Sequence, residues 1–137
     1  MMDNEIKIGK SANYSKNFTE ENVKIFANIS DDNNPIHIDE NYAAKSFFKK
    51  RIVHGLYVSS MFSTIFGTIY PGRGSIYLSQ LCNFIKPVYF NEEITATVTL
   101  IKYDSEKNIG IFTTECKNNK KELVISGEAK ILFPKKQ

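Results

Sequence analysis

Only two cysteines occur in the chain, Cys82 and Cys116; they lie far apart and match no zinc or redox spacing. That argues against a disulfide framework or a metal module and fits free thiols in a reducing cytosol, so a cytoplasmic protein is expected. Charge of one sign is nowhere concentrated: 18 basic residues stand against 15 acidic ones, spread along the chain, for a formal net charge of +3. A nucleic-acid partner is therefore not expected, although the small excess of lysine suits an anionic ligand. No apolar run approaches the length of a membrane span. The N-terminal MMDNEIKIGK alternates charge with apolar residues and lacks the apolar stretch of a signal peptide. Repeats and low-complexity segments are missing as well, and histidine is limited to His37 and His54.

What is present suits one domain over residues 1–137, long enough to bury a core without disulfides or metal. Residues 5 to 10 alternate weakly. Thr19, with Glu20 and Glu21 behind it, predicts the start of a short amphipathic helix carrying Val23, Phe26 and Ala27 and ending near Ser30. Residues 31 to 53 read as irregular, with a helical turn or two at 39 to 46 that Asp39 could cap. From about Gly55 to Ile69 a second helix is expected whose apolar residues, among them Leu56, Met61, Phe62 and Ile69, point in most directions; such a helix should be buried. It stops at Tyr70-Pro71-Gly72.

Everything after Gly74 has strand character. Residues 75 to 90 suggest one long strand or two broken at Pro87, and 94 to 101 alternates cleanly, with Ile94, Ala96, Val98 and Leu100 on one face. Strands from Ile109 to Cys116 and from Leu123 to Phe133 follow, separated by a turn at Lys117-Asn118-Asn119-Lys120. One apolar helix followed by antiparallel strands predicts an α+β arrangement, a curved sheet wrapped around the helix.

Two polar blocks stand out against this layout. SDDNNPIHID, residues 30 to 39, packs three carboxylates, two amides, a proline and His37 into ten positions, and RIVHG, residues 51 to 55, sits where the buried helix begins. By itself the first block is what a surface turn uses. A helix start, however, presents N–H groups without partners and the positive end of a dipole, and Gly55 lets a ligand come close. Asp32, Asn34, His37, His54 and Gly55 could thus assemble an acid, a base and an oxyanion site.

These residues carry a family resemblance. Asp32-Asn33-Asn34-Pro35-Ile36-His37, then RIVHGLYVSSMFS from Arg51, then PGRGSIYLSQLCNFIKPVYFNEEIT from Pro71, resemble the MaoC-like hydratases, especially the short (R)-specific enoyl-CoA hydratases. The resemblance extends over roughly residues 20 to 100. It implies a hot-dog fold, a homodimer with active sites near the subunit interface, and thioesters of coenzyme A or acyl carrier protein as substrates. Carried over, Asp32 and His37 hold the reacting water, Gly55 supplies an oxyanion-hole N–H, and Ser63 falls where the family has a site hydroxyl. Asn34 would order the water or the His37 ring. His54 is expected to hydrogen-bond the overhanging loop at the substrate site, and Arg73 or Lys49 could reach coenzyme A phosphates, although the strip Lys49-Lys50-Arg51 also reads as a solvated face.

Other chemistries remain to be weighed. His37-Ile38-Asp39 with His54 imitates the facial triad of non-haem iron oxygenases, but the gap of 15 residues from Asp39 is short and the strands come afterwards. No metal or organic cofactor is expected. A hot-dog thioesterase would share fold and ligand, yet these often carry a carboxylate on or beside the central helix, and residues 55 to 69 contain none. A non-catalytic acyl-thioester-binding subunit would tolerate loss of Asp32 or His37, and both are present. The expectation is therefore reversible (R)-specific hydration of 2-enoyl-CoA.

Overall fold

The computed structural model describes residues 5–135. Strand β1 (Ser11–Asn17) leads into helix α1 (Glu20–Ser30), two short helices α2 (Pro35–Ile38) and α3 (Glu40–Ala44), and the long helix α4 (Gly55–Thr68). Four strands complete the chain: β2 (Ile76–Phe84), β3 (Glu93–Asp104), β4 (Ile109–Lys117) and β5 (Leu123–Leu132). All strand pairs are antiparallel, in the order β1-β3-β4-β5-β2. The sheet packs α4 against β1, β2 and β3, the hot-dog arrangement of the α+β class.

Alternation builds the core. Ile94, Ala96, Val98 and Leu100 of β3 are fully buried, and they meet Val58, Met61, Phe62, Ile65 and Phe66 of α4 in one cluster. Side chains two apart on a strand share a face, so four small or branched residues in β3 give the helix a continuous seat. From β5, Ile125, Ala129 and Ile131 close the same core, with Phe133 just beyond the strand.

Local signals place the helices. Thr19 caps α1 by accepting from the Asn22 N–H at 3.2 Å, and Asp31 ends the helix in the left-handed region at φ 63°. Asp39 caps α3 through the Tyr42 N–H at 3.0 Å.

Four expectations need correction. The weak alternation at residues 5 to 10 forms no strand; the strand lies next to it, in the polar Ser11–Asn17, and exists because β3 offers seven consecutive partners. The block at 31 to 53 contains a further helical turn, α2, and the segment from 75 carries one strand that ends at Phe84, ahead of Pro87. Finally, α4 is not covered all round. Leu56 is 69% exposed, and Ser60, Ser63 and Gly67 continue an open stripe beneath it. The neighbouring edge strand β2 is open too: Ile76, Leu78, Leu81 and Phe84 are all exposed.

Candidate active site

The two polar blocks meet at the start of α4. Asn34 caps α2, its Oδ1 accepting from the Ile36 N–H at 3.3 Å, and Pro35 follows at a position where a missing N–H costs nothing. That short turn aims His37 at the segment before α4. There Ile52 receives it twice: its N–H donates to the Ile36 carbonyl at 3.2 Å, and its carbonyl accepts from His37 Nδ1 at 2.7 Å. On the far side Val53 donates to Val88 at 2.8 Å, so the segment is held between the α2 turn and the chain beyond β2.

His54 adds the third stitch. Its Nε2–H donates to the Asp32 backbone carbonyl at 3.0 Å, and its ring stacks on His37 with centroids 3.8 Å apart and planes at 25°. Phe26 from α1 meets the His54 ring at 4.8 Å on an edge. Asp32 itself is braced by a short turn, its Oδ1 accepting from the Asn34 N–H at 3.2 Å.

Hydrogen bonding fixes both tautomers. A carbonyl can only accept, so His37 carries its proton on Nδ1 and a neutral ring leaves Nε2 as an acceptor. By the same reasoning His54 is protonated on Nε2; its Nδ1 is buried and has no hydrogen-bond partner among the described residues. Burial pushes the His37 pKa below its ordinary 6.5, and the neighbouring His54 acts in the same direction. The Ile52 carbonyl and the Asp32 carboxylate oppose that shift without cancelling it. His37, only 8% exposed, is thus held as a neutral base.

The cluster faces a cleft of about 430 Å³. Asp32, His37, His54 and Gly55 form its polar end; Phe48, Ile52, Phe84, Val88 and Ile125 give it apolar walls, with Lys86 also lining it. At this end α4 begins without a side-chain cap, since His54 stands in the N-cap position and makes no cap hydrogen bond. The N–H groups of the first turn are therefore left without a side-chain partner at the polar end of the cleft. Gly55 has a second reason to be glycine: a Cβ there would come within 2.7 Å of the Phe84 ring.

Asp32, His37 and His54 each offer a ligand atom within 4.8 Å of the others, which makes them the described residues able to hold a cation. Asp39 does not join them, because its carboxylate caps α3. Asn34 stays at the site's edge, where its amide oxygen accepts from the Ile36 N–H and so sets the backbone that carries His37. Ser63 lies on the open face of α4, eight residues and roughly 12 Å of helix from Gly55. Arg73 is farther still, in the turn beyond the other end of α4. The walls Phe48, Phe84 and Ile125 were not foreseen, since apolar residues that line a cleft look like core residues in a sequence.

Similarity to known proteins agrees with this geometry. An (R)-specific enoyl-CoA hydratase of Rhodospirillum rubrum is 40% identical over 130 residues, covering 95% of this chain and 90% of that protein. A mitochondrial 3-hydroxyacyl-[acyl-carrier-protein] dehydratase of Arabidopsis thaliana is 40% identical over 132 residues, 94% of this chain and 78% of that protein. Among solved structures, the (R)-hydratase of Aeromonas caviae involved in PHA biosynthesis superposes with a TM-score of 0.91 at 38% identity, covering 94% of this chain and 98% of that one. Residues 3–122 match the MaoC like domain, and the chain belongs to that family.

Proposed function

We propose that the protein is a cytoplasmic, homodimeric, single-domain (R)-specific hydratase of 2-enoyl-CoA, which also runs in reverse as a 3-hydroxyacyl-CoA dehydratase. The observation that carries this reading is the free Nε2 edge of a neutral His37 beside the Asp32 carboxylate, at the polar end of an apolar cleft. Water held between the two attacks C3 of the enoyl thioester. Its hydroxyl oxygen bonds to C3, its proton passes to the pair, and the pair returns a proton to C2 from the same side. As the C2=C3 electrons move toward the carbonyl, the thioester oxygen gains negative charge. The Gly55 N–H at the uncapped start of α4 meets it.

Both water-holding groups lie on one side of the cleft, so a bound substrate receives water on one face of C3 and yields a single enantiomer. The apolar walls suit an acyl chain, and the similar proteins act on thioesters of both carriers, coenzyme A and acyl carrier protein. No described helix is long and apolar enough to cross a membrane. The homodimer rests on β2, an edge strand without a formal charge whose exposed Ile76, Leu78, Leu81 and Phe84 continue onto the open stripe of α4. The opposite edge, β1, carries Lys16, a residue type that discourages edge pairing.

Mixing the protein with crotonyl-CoA tests the reading. The conjugated-enoyl absorbance should fall without release of thiol, and the product should be (R)-3-hydroxybutyryl-CoA. Thiol release as the main reaction would make the protein a thioesterase. Binding without turnover, on longer enoyl chains and enoyl-acyl carrier protein as well, would leave a thioester-binding subunit. An (S) product would reverse the face assigned to the Asp32–His37 pair.

A further inference from the structure

Arg73 sits in a tightly held turn, yet its side chain has no polar partner among the described residues. The turn is tied to the end of α4: Gly72 N–H donates to the Phe66 carbonyl at 2.9 Å, Ser75 Oγ donates to the same carbonyl at 2.7 Å, and Ser75 N–H closes on Gly72 at 3.0 Å. Gly72 and Gly74 on either side take φ of 87° and 94°, which glycine adopts without strain. Between them the Arg73 guanidinium is exposed and makes no ion pair or hydrogen bond with a described residue. An arginine presented this rigidly and left unpaired has the form of a donor for an external anion. Its own cleft is out of reach, because Gly55 begins α4 and Arg73 lies beyond its other end, with a helix of 14 residues and roughly 21 Å between them.

A second copy changes that distance. The inference rests on the homodimer proposed above, with β2 as the contact. An isologous contact between two identical strands is antiparallel, since a two-fold axis reverses direction. With the axis through the middle of β2, near Gln80, the start of one protomer's strand at Ile76 lies beside the end of its partner's at Phe84. The three residues that precede Ile76 then run past Phe84, toward Ile85, Lys86 and Pro87, and those three line the cleft. Because α4 runs alongside β2 in the opposite direction, with Gly55 against Phe84 and Phe66 against Tyr77, the same axis sets the end of one α4 near the start of the other. No formal charge on β2 opposes the approach.

We propose that Arg73 of each protomer completes the active cleft of the other, where it binds the phosphates of the coenzyme A carrier. The guanidinium pairs with phosphate oxygens in a two-pronged contact, while Lys86 of the protomer that owns the cleft lines it with its ammonium already paired to Glu122. Each dimer thus has two sites, each built from Asp32, His37 and Gly55 of one chain and Arg73 of the other.

Inter-subunit complementation decides it. R73A should raise KM for crotonyl-CoA roughly tenfold or more with kcat little changed. It should leave crotonyl-pantetheine, which lacks the phosphates, at its wild-type kcat/KM, and R73K should fall between. D32N should be inactive. A heterodimer of one D32N chain and one R73A chain, isolated through two different affinity tags, has one cleft with both lesions and one with neither. Its kcat/KM for crotonyl-CoA should therefore return to half that of the wild-type dimer. If Arg73 serves its own chain, both clefts are damaged and the heterodimer does no better than half of R73A; that result overturns the inference. A monomeric wild-type protein, or equal losses with crotonyl-CoA and crotonyl-pantetheine, would overturn it too. Wild-type protein that hydrates no enoyl thioester would overturn the proposed function and this inference together, whereas an active wild type without restoration would overturn this inference alone.

Discussion

Replacing His54 with leucine should leave the protein as stable as before, or more so, while removing most of its activity. His54 is 2% exposed, and its imidazole makes one hydrogen bond, from Nε2 to the Asp32 carbonyl at 3.0 Å. Losing that bond costs about 1 kcal/mol, and because Asp32 is exposed its carbonyl can turn to water. Against this, Nδ1 is buried without a partner, a desolvation cost of about 1–3 kcal/mol that an apolar side chain of similar size relieves. The sum lies between neutral and about 2 kcal/mol in favour of H54L. At roughly 3–5 °C per kcal/mol for a domain of this size, Tm should hold or rise by several degrees.

Activity should move the other way. His54 holds the Asp32 backbone from one side and stacks under the His37 ring on the other, so its loss frees both members of the proposed pair. A misplacement of about 1 Å is enough to lower kcat by ~10². H54Q sets an amide N–H close to where Nε2–H was and should recover kcat to within roughly tenfold of wild type; H54F keeps the stack without the donor and separates the two contributions. Thermal unfolding followed by circular dichroism and steady-state hydration of crotonyl-CoA measure the two effects. A fall in Tm of more than about 8 °C would mean that the orphan nitrogen is not a cost. Wild-type kcat in a folded H54L protein would mean that His54 positions nothing.

Asp32→Asn and His37→Ala should each lower kcat by at least ~10² with unchanged circular dichroism, and the double variant should lose little more than the worse single one, as expected of groups that act as a unit; additive losses would separate their roles. The His37 pKa is depressed by burial, so the ring stays neutral below pH 6.5, and the acid limb of kcat/KM should fall below that value. The same sign governs stability: above pH 6.5 the ring is neutral in both states, while below it the unfolded chain takes up the proton first, so the His37 contribution is lost as pH falls from 6.5 through the lower folded value. Titrating H37Q beside wild type should abolish that part of the slope. Gly55→Pro deletes the donor at the helix start and should cost about 3 kcal/mol of transition-state stabilisation. Gly55→Ala is its control, since it makes the same Cβ contact with Phe84 and keeps the N–H; equal kcat in the two variants would place the oxyanion site elsewhere.

The parts of the fold that were legible in the sequence are those whose signals are local. Alternation at Ile94, Ala96, Val98 and Leu100 specifies a half-buried strand whatever its partner, and Thr19 and Asp39 announce helix starts because a side-chain oxygen near a free N–H is a contact within one turn. Strand β1 was missed for the opposite reason. Its residues are polar, and what orders them is pairing with β3 some eighty residues later, including the Ser15–Thr95 hydroxyl contact at 2.7 Å. In α4, hydrophobicity announced burial but could not say by what, and the 69% exposure of Leu56 shows that one side of the helix is left open by this chain. The site divides along the same line. Asp32, His37 and His54 draw attention because their chemistry is rare in a short segment, while the cap that Asn34 gives α2 was not foreseen, because it depends on where the Ile36 N–H comes to lie.

One signal at the site was available in the sequence and lies in what is missing. Helices α1, α2 and α3 begin with Thr19, Asn34 and Asp39, each accepting from an N–H of its own first turn. Helix α4 begins with His54 and Gly55, neither of which has a side-chain oxygen, and no side chain caps it. Such a start leaves N–H groups that cost free energy when they are enclosed without a partner, yet here they open on the cleft that holds the Asp32–His37 pair. A polar cap in place of His54 would satisfy one or two of those donors and crowd the polar end of the cleft. Helix α4 thus gives up the local stability that a side-chain cap gives the other helices, and its first-turn N–H groups stay free for the oxyanion role proposed above. His54 occupies the N-cap position because its ring is needed sideways, between Asp32 and His37, and cannot also turn inward to close the helix.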